Sequence, residues 1–305
     1  MGFLLKPHSN LCIYHGRMGV SVEERAKGMT RRSFLKTAAV AAIGIPLYAA
    51  EISRHEISIE RHTIQLKRLP EQFRGLRIVQ ISDFHYAEYT EPIFLREIVH
   101  EVNRLKPDVV LFTGDFVTIG LFSEQRTKGF AYKCVEVLSQ VECPVRYAVL
   151  GNHDVTFAKD SVIDALAIHK LRLLNNAFEP LEREGKRLWL AGAGDVTYGQ
   201  MDLDKAVPPA SRMGSEPVIL MVHEPDVLPE VARYNVDLML SGHTHGGQVR
   251  FPLLPAMMLP HYGRHYVEGF FQHGPTQLYV NRGIGTVGVP IRFNCPPEIT
   301  EITLG

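Results

Sequence analysis

One pattern, repeated along this chain, limits what it can fold into more than any other feature. A short apolar run closes on a small group of Gly, Asp, Asn and His residues. Leu76–Ile81 leads into Asp83-Phe84-His85, Asp108–Thr113 into Gly114-Asp115, and Tyr147–Leu150 into Gly151-Asn152-His153-Asp154. Val218–Val222 leads into His223, and Val236–Leu240 into Gly242-His243-Thr244-His245. Short apolar runs bounded by such breaks read as buried strands. Polar groups delivered at successive strand ends collect in one crevice at the edge of an open α/β sheet.

The segments between the runs complete an alternation. Pro92–Leu105 and Glu124–Ser139 have helical periodicity, and Arg146–Leu150 is the strand that follows them. The second half is richer in strand signals, at Leu188–Ala193, Gln277–Val280 and Glu298–Leu304 in addition to the runs before His223 and Gly242. The fold class expected is α/β, with two packed sheets flanked by helices. Residues 51–305 suffice for one large core, at 45% apolar residues over the whole chain, and no low-complexity linker or internal repeat divides them.

The residue types at the strand ends point to metal chemistry. Imidazole and carboxylate together suit iron, manganese and zinc, and soft thiolate is missing from every segment, which favours a hydrolytic site over an electron-transfer one. Asp83 and His85, two apart at the end of an extended strand, would face the same side and reach one ion. Asp115 has two oxygens with which to bridge two ions. Asn152 offers a neutral oxygen that limits repulsion of a phosphate. Gly114, Gly151 and Gly242 would let backbone approach a ligand without a Cβ in the way. A lone Asp-x-His among fourteen histidines is unremarkable, but the ordered set is not. Two divalent ions in such a set clamp a phosphoryl group and make hydroxide available at neutral pH.

With these segments in this order the chain resembles the calcineurin-like metallophosphoesterases, from about Gly75 to Leu304. The resemblance implies the family's α/β sandwich of two mixed sheets. It also implies two divalent ions, manganese, iron or zinc: Asp83, His85, Asp115 and His245 around one, and Asp115, Asn152, His223 and His243 around the other. In-line attack by a metal-bridging hydroxide would follow. His153 matches the family's histidine that contacts the phosphate and can protonate the leaving group. Many relatives carry an acid three residues beyond the bridging aspartate, where it orients this histidine. Here that position is Thr118, which cannot form a charged dyad, so Asp154 or a backbone carbonyl is expected to orient His153.

The N-terminus carries a separate message. Thr30-Arg31-Arg32-Ser33-Phe34-Leu35-Lys36 precedes an apolar, small-residue run from Thr37 to Ala50, the pattern of a twin-arginine export signal. The expected organisation is therefore a signal over residues 1–50 and a metallophosphoesterase domain over 51–305. The translocation machinery would be a partner, and the periplasm or cell envelope the destination. The run is shorter than the roughly twenty residues that span a bilayer. Cleavage after Ala49 or Ala50 and retention as an inner-membrane tether both stand open, because Leu47 and Tyr48 spoil an Ala-x-Ala site. A start at Met18 or Met29 would give a more usual signal than one containing Cys12 and Tyr14.

Zero formal charge hides an asymmetry. The first fifty residues hold seven Lys/Arg and two acids, leaving 26 Lys/Arg against 31 Asp/Glu in the rest. A mildly acidic domain is not built for duplex nucleic acid. Outside the leader, Cys134, Cys143 and Cys295 are odd in number and lack metal spacing, so buried thiols are expected rather than a disulfide framework.

The segment Asn281–Ile299 is similar to a group of exported or membrane-associated bacterial metallophosphoesterases, some of which resemble enzymes that hydrolyse UDP-diacylglucosamine in lipid A synthesis. That resemblance implies a phosphodiester or pyrophosphate substrate at the membrane surface, lipid-linked in one version and an ordinary nucleotide ester in another. A non-catalytic metal-binding scaffold is the alternative of a different class, and it would be expected to have lost ligands. Two apolar segments flank the predicted ligands, Phe116–Phe122 and Phe251–Pro260. Packing on the sheet is their expected role, with an approach for an acyl chain as the alternative. Arg250, Arg264 and, first among them, Arg282 are candidates for the phosphate oxygens.

Overall fold

The computed structural model describes residues 30–87, 90–119, 124–212, 214, 216–256 and 258–305. Cys12, Tyr14, the starts at Met18 and Met29, Gly120 to Phe122 and Met257 lie outside them. By internal contacts the chain divides into Met1–Ala42 and Ile43–Gly305. Helix α1 (Arg31–Glu51) begins in the first unit, where Thr30 Oγ1 accepts from the Ser33 N–H at 3.1 Å, the bond that caps a helix start. No helix among the described residues is long and apolar enough to cross a membrane. At the far end of α1, within the second unit, Ala49 is buried and its carbonyl accepts from the Arg292 N–H at 3.0 Å.

The second unit is two six-stranded mixed sheets. Strands β1 (Ser58–Ile64), β2 (Arg77–Ile81), β3 (Val109–Phe112), β4 (Arg146–Ala148) and β5 (Arg172–Leu173) belong to one sheet. Strands β6 (Ala177–Arg183), β7 (Lys186–Gly192), β8 (Val218–Met221), β9 (Leu238–Ser241), β10 (Gly269–His273) and β11 (Thr276–Val280) form the other, and β12 (Glu298–Leu304) returns to the first. The orders are β1-β12-β2-β3-β4-β5 and β10-β11-β9-β8-β7-β6. In each sheet the strands that end at the site run parallel: β2 with β3 and β3 with β4, β8 with β9. Their C-terminal ends therefore emerge together.

Alternation along the strands sorts the core into layers. Ile78, Val109, Leu111, Ile219, Met221, Leu238 and Leu240 meet between the sheets. Val79, Val110 and Phe112 face outward onto α2 (Pro92–Leu105), α3 (Glu124–Leu138) and, beyond the short α4 (Asn152–Phe157), α5 (Lys159–Ile168). On the other face Leu220 and Met239 pack beneath short helical turns. Helix α2 shows why such segments settle on a sheet. Pro92 occupies its first turn, Phe94, Leu95, Ile98, Val99 and Val102 make its buried stripe, and Lys106 ends it in the left-handed conformation.

Four strands go beyond the sequence reading. β1, β6 and β10 are edge strands with charged or polar residues interleaved, as in Ser-Ile-Glu-Arg-His-Thr-Ile, so they lack the continuous apolar run of a doubly covered strand. β5 has only two residues. Cys134, Cys143 and Cys295 are free and buried.

Candidate metal centre

The site begins where the strands stop. Asp83, His85, Asp115, His243 and His245 all have positive φ, at 53°, 43°, 55°, 71° and 52°. Non-glycine residues in this region cost on the order of 1–3 kcal/mol each and persist only where the surroundings enforce them. Asp83 and His85 thus converge through left-handed turns after β2 has ended, and not through the alternation of an extended strand as the sequence suggested.

Hydrogen bonds hold these turns. The 83–86 segment runs beside 114–117, with Asp83 N–H to Gly114 O, His85 N–H to Asp115 O and Tyr86 N–H to Phe116 O, each at 3.0 Å. His243 N–H donates to both Asp83 oxygens at 2.9 and 3.0 Å, and His153 N–H to Asp115 Oδ1 at 2.9 Å. The glycines have a sharper role than close approach to a ligand: they make room for the carboxylates themselves. A Cβ on Gly151 would lie 2.2 Å from Asp115 Oδ1, and one on Gly242 2.2 Å from Asp83 Oδ2.

Six of the seven expected ligands gather into overlapping groups. The ligand atoms of Asp83, His85 and His245 lie within 4.8 Å of one another, as do those of Asp115, His223 and His243. His85, Asp115 and His153 make a third group between them. His245 Nε2 is 2.8 Å from His85 Nε2 and 3.4 Å from Asp83 Oδ1, while His223 Nε2 is 3.1 Å from Asp115 Oδ2. Asn152, the seventh, stands on the same cavity, and its Oδ1 is buried without a hydrogen-bond partner. His223 Nε2 also lacks one. Such orphaned buried acceptors cost roughly 1–3 kcal/mol unless something fills them, so the residues fit divalent ions.

Two backbone carbonyls set the imidazole tautomers. His223 Nδ1 is 2.7 Å from Thr113 O, and His243 Nε2 is 2.7 Å from His261 O. A carbonyl only accepts, so each of these nitrogens carries a proton and the opposite nitrogen is the one that faces the site. Burial opposes ionisation of Asp83 and Asp115, yet the imidazoles of His245 and His223 respectively hold both carboxyls below the usual range. Burial pushes His153 and His243 down to about 4.

Asp154 does not orient His153. Its oxygens accept from Val117 N–H at 3.2 Å and Gly151 N–H at 3.0 Å, because the first turn of α4 directs its side chain back onto the backbone. Burial and the neighbouring Asp115 push its carboxyl up to about 8. The group on His153 is Thr118, whose Oγ1 lies 2.9 Å from Nδ1. Arg282 is not in the wall of the cavity that the ligands share. It is committed to Glu60 at 2.6 Å and Glu298 at 2.9 Å, as ordinary ion pairing would have it. Arg250 pairs with Glu268, and Arg264 is exposed beside Asp226, which takes its backbone N–H.

Sequence reasoning missed Arg292, which is fully buried behind the site. Its guanidinium donates to the carbonyls of Arg282, Gly283, Gly285 and Cys295, and Nη2 lies 3.4 Å from His245 Nδ1. Nothing in the string Ile-Arg-Phe marks an arginine for burial; four converging carbonyls do so only once the chain is folded.

Above the ligands lies a cavity of about 340 Å³ with Met258, Leu259, Pro260 and Val287 in its wall. The loop beyond them is not packed on the sheet. Leu253 is fully exposed, with Leu254 at 56%, Met258 at 49% and Phe251 at 43%. Phe116 and Val117, by contrast, are core, while Ile119 in the same segment is exposed.

The calcineurin-like phosphoesterase family model matches residues 76–247. The metallophosphoesterase YkuE of Bacillus subtilis is 34% identical, covering 91% of this chain and 98% of its own. Phosphodiesterase YaeI of Escherichia coli is 30% identical over 75% of this chain and 82% of its own. UDP-2,3-diacylglucosamine pyrophosphatase LpxG of Chlamydia muridarum is 30% identical, covering 76% of this chain and 85% of its own.

Proposed function

The chain belongs to the calcineurin-like phosphoesterase family, a family of metal-dependent hydrolases, and from that premise we propose that it cleaves a phosphodiester or pyrophosphate bond in a lipid-linked substrate. The observation that carries the lipid half of the reading is the two-sided cavity. One side carries His85, Asp115, Asn152 and His153; the other is Met258, Leu259 and Pro260, continuing into exposed Leu253 and Leu254. An exposed apolar loop beside a polar cavity suits a molecule with a phosphoryl group at one end and hydrocarbon at the other. The name of LpxG, a UDP-2,3-diacylglucosamine pyrophosphatase, supports the lipid half, and that of phosphodiesterase YaeI supports the class of bond alone.

Asp83, His85, Asp115 and His245 would hold one divalent ion, and Asp115, Asn152, His223 and His243 the other. When bound, the pair supplies Lewis acidity toward a phosphoryl oxygen and a lowered water pKa. The chain's residues do the rest. Thr113 O and His261 O keep His223 and His243 in the tautomers that present a lone pair, and the neutral Asn152 leaves the site less repulsive to an anion. His153, on the cavity wall, is placed to donate to a phosphoryl oxygen. Leu259 and Pro260 make part of the cavity wall apolar.

Residues 1–50 we read as a twin-arginine signal that takes the folded enzyme to the envelope. Arg31→Lys with Arg32→Lys is expected to leave the protein in the cytoplasmic fraction, and unaltered fractionation would refute that reading.

Hydrolysis of bis-p-nitrophenyl phosphate and UDP-diacylglucosamine, measured side by side, tests the substrate. Asn152→Ala is expected to lose both activities by about 100-fold or more, in the range seen when a metal ligand or its support is removed. Leu253→Ser/Leu254→Ser/Met258→Ser is expected to keep its stability and the simple diester while losing about tenfold on the lipid nucleotide, the scale of a few apolar contacts. Equal rates for that variant and the parent on the lipid substrate would overturn the lipid reading and leave the phosphoesterase intact.

A further inference from the structure

We infer that Thr118 is the positioning residue for His153, holding the imidazole toward the cavity through one neutral hydrogen bond. The inference rests on the reading of His153 as the phosphate contact. Its basis is the way three segments are tied together. Val117 N–H is held by Asp154 Oδ1, whose other oxygen holds Gly151 N–H at the start of α4. His153 N–H is held in turn by Asp115 Oδ1. The 115–118 segment and the first turn of α4 are therefore fixed to each other on both sides of the His153 ring. Thr118, the next residue along, is carried to a place where its hydroxyl is 2.9 Å from Nδ1.

Among the described residues, Thr118 is the polar group at that nitrogen of the ring. His85 meets it edge-on at 4.6 Å between centroids and Phe157 at 5.4 Å. Those contacts restrict its tilt but leave a flip about the Cβ–Cγ bond open, and a flip would exchange the positions of carbon and nitrogen on the cavity side. The hydroxyl at Nδ1 distinguishes the two orientations. With Thr118 donating to Nδ1, Nε2–H is the donor offered to a phosphoryl oxygen. Asp154, the nearest acid in sequence, is spent on backbone amides and cannot take over.

The test is a double-mutant cycle on the metal-loaded full chain with bis-p-nitrophenyl phosphate. Thr118→Val keeps the shape and removes the hydroxyl; Thr118→Ala serves in its place if valine unfolds the loop. The expected result is a kcat lowered by about tenfold to 100-fold, as for a small misplacement of a catalytic group, with KM, metal content and Tm near the parent's. Thr118→Ser should restore the rate. In a His153→Ala background the same substitution should have no further effect, since the group it positions is gone. Full activity of Thr118→Val, or a loss that adds to that of His153→Ala, would overturn the inference. If His153→Ala itself costs nothing, the reading of His153 fails instead.

Discussion

At the scale of single residues, the centre depends on side chains that are absent as much as on those present. Gly151 and Gly242 touch the carboxylates of Asp115 and Asp83 so closely that a methyl group has nowhere to go. Gly151→Ala and Gly242→Ala should each reduce bound metal and hydrolysis by about 100-fold, the loss expected from a ligand displaced by roughly 1 Å. Normal metal content in either variant, measured by inductively coupled plasma spectrometry, would show that the carboxylates relax freely. Asp195 makes a different prediction. Burial and the adjacent Glu224 push its carboxyl up to about 7, against about 3.9 in an unfolded chain. The folded protein keeps the proton longer, so this contribution to stability is full below pH ~4 and is lost as pH rises through ~7. Asp195→Asn retains the oxygen that accepts from Tyr198 N–H and abolishes that loss. Its Tm relative to the parent should therefore climb between pH 5 and pH 8; a constant offset over that range would contradict the assignment. The metal-type residues were legible because each ends an apolar run. The surroundings of Asp154, Thr118 and Arg282 were not, since sequence neighbours such as His153 and Asp154, both in the first turn of α4, point in different directions.

At the scale of elements, strand ends and the first turn of α4 do the positioning, and the longer helices cover the sheet. Gly129 lies on the exposed side of α3 with nothing within 4 Å of where a Cβ would be. Glycine there costs backbone entropy and packs nothing, so Gly129→Ala should stabilise the protein by roughly 0.5–1 kcal/mol. That corresponds to a Tm rise of about 1–4 °C for a domain of this size, without a change in activity; a lowered Tm would mean that α3 is strained at that turn. Strands covered on both faces, such as β2, β3, β8 and β9, announce themselves by unbroken apolar runs. The edge strands β1 and β10 interleave polar or charged residues with apolar ones and were invisible for that reason. The Phe251–Pro260 loop was misjudged on similar grounds, because apolar composition alone does not separate a segment that packs from one that stands out, and here the prolines and the positive φ of Leu253 hold it off the sheet.

At the scale of the whole molecule, the two sheets meet at the site. Gln80, buried on β2, donates to Thr113 Oγ1 at 3.1 Å and to Ser241 O at the end of β9 at 2.9 Å, so one amide links the strand ends that bring Asp83 and His243 together. Ions bound across this junction would hold both sheets at once. Removing them should lower Tm by several degrees, since a ligand at a thousand times its Kd adds about 4 kcal/mol to the folded state; a Tm indifferent to chelator would argue that the centre is preorganised without metal. The most direct test of the account counts ions and turnover together. The chelated protein is titrated with manganese, iron(II) or zinc while metal content and hydrolysis of bis-p-nitrophenyl phosphate are followed in the parent and in Asp115→Asn. The account predicts activity that saturates at two ions per chain and an Asp115→Asn variant that neither fills nor hydrolyses. Saturation at one ion, or hydrolysis that survives in the metal-free parent, would contradict it.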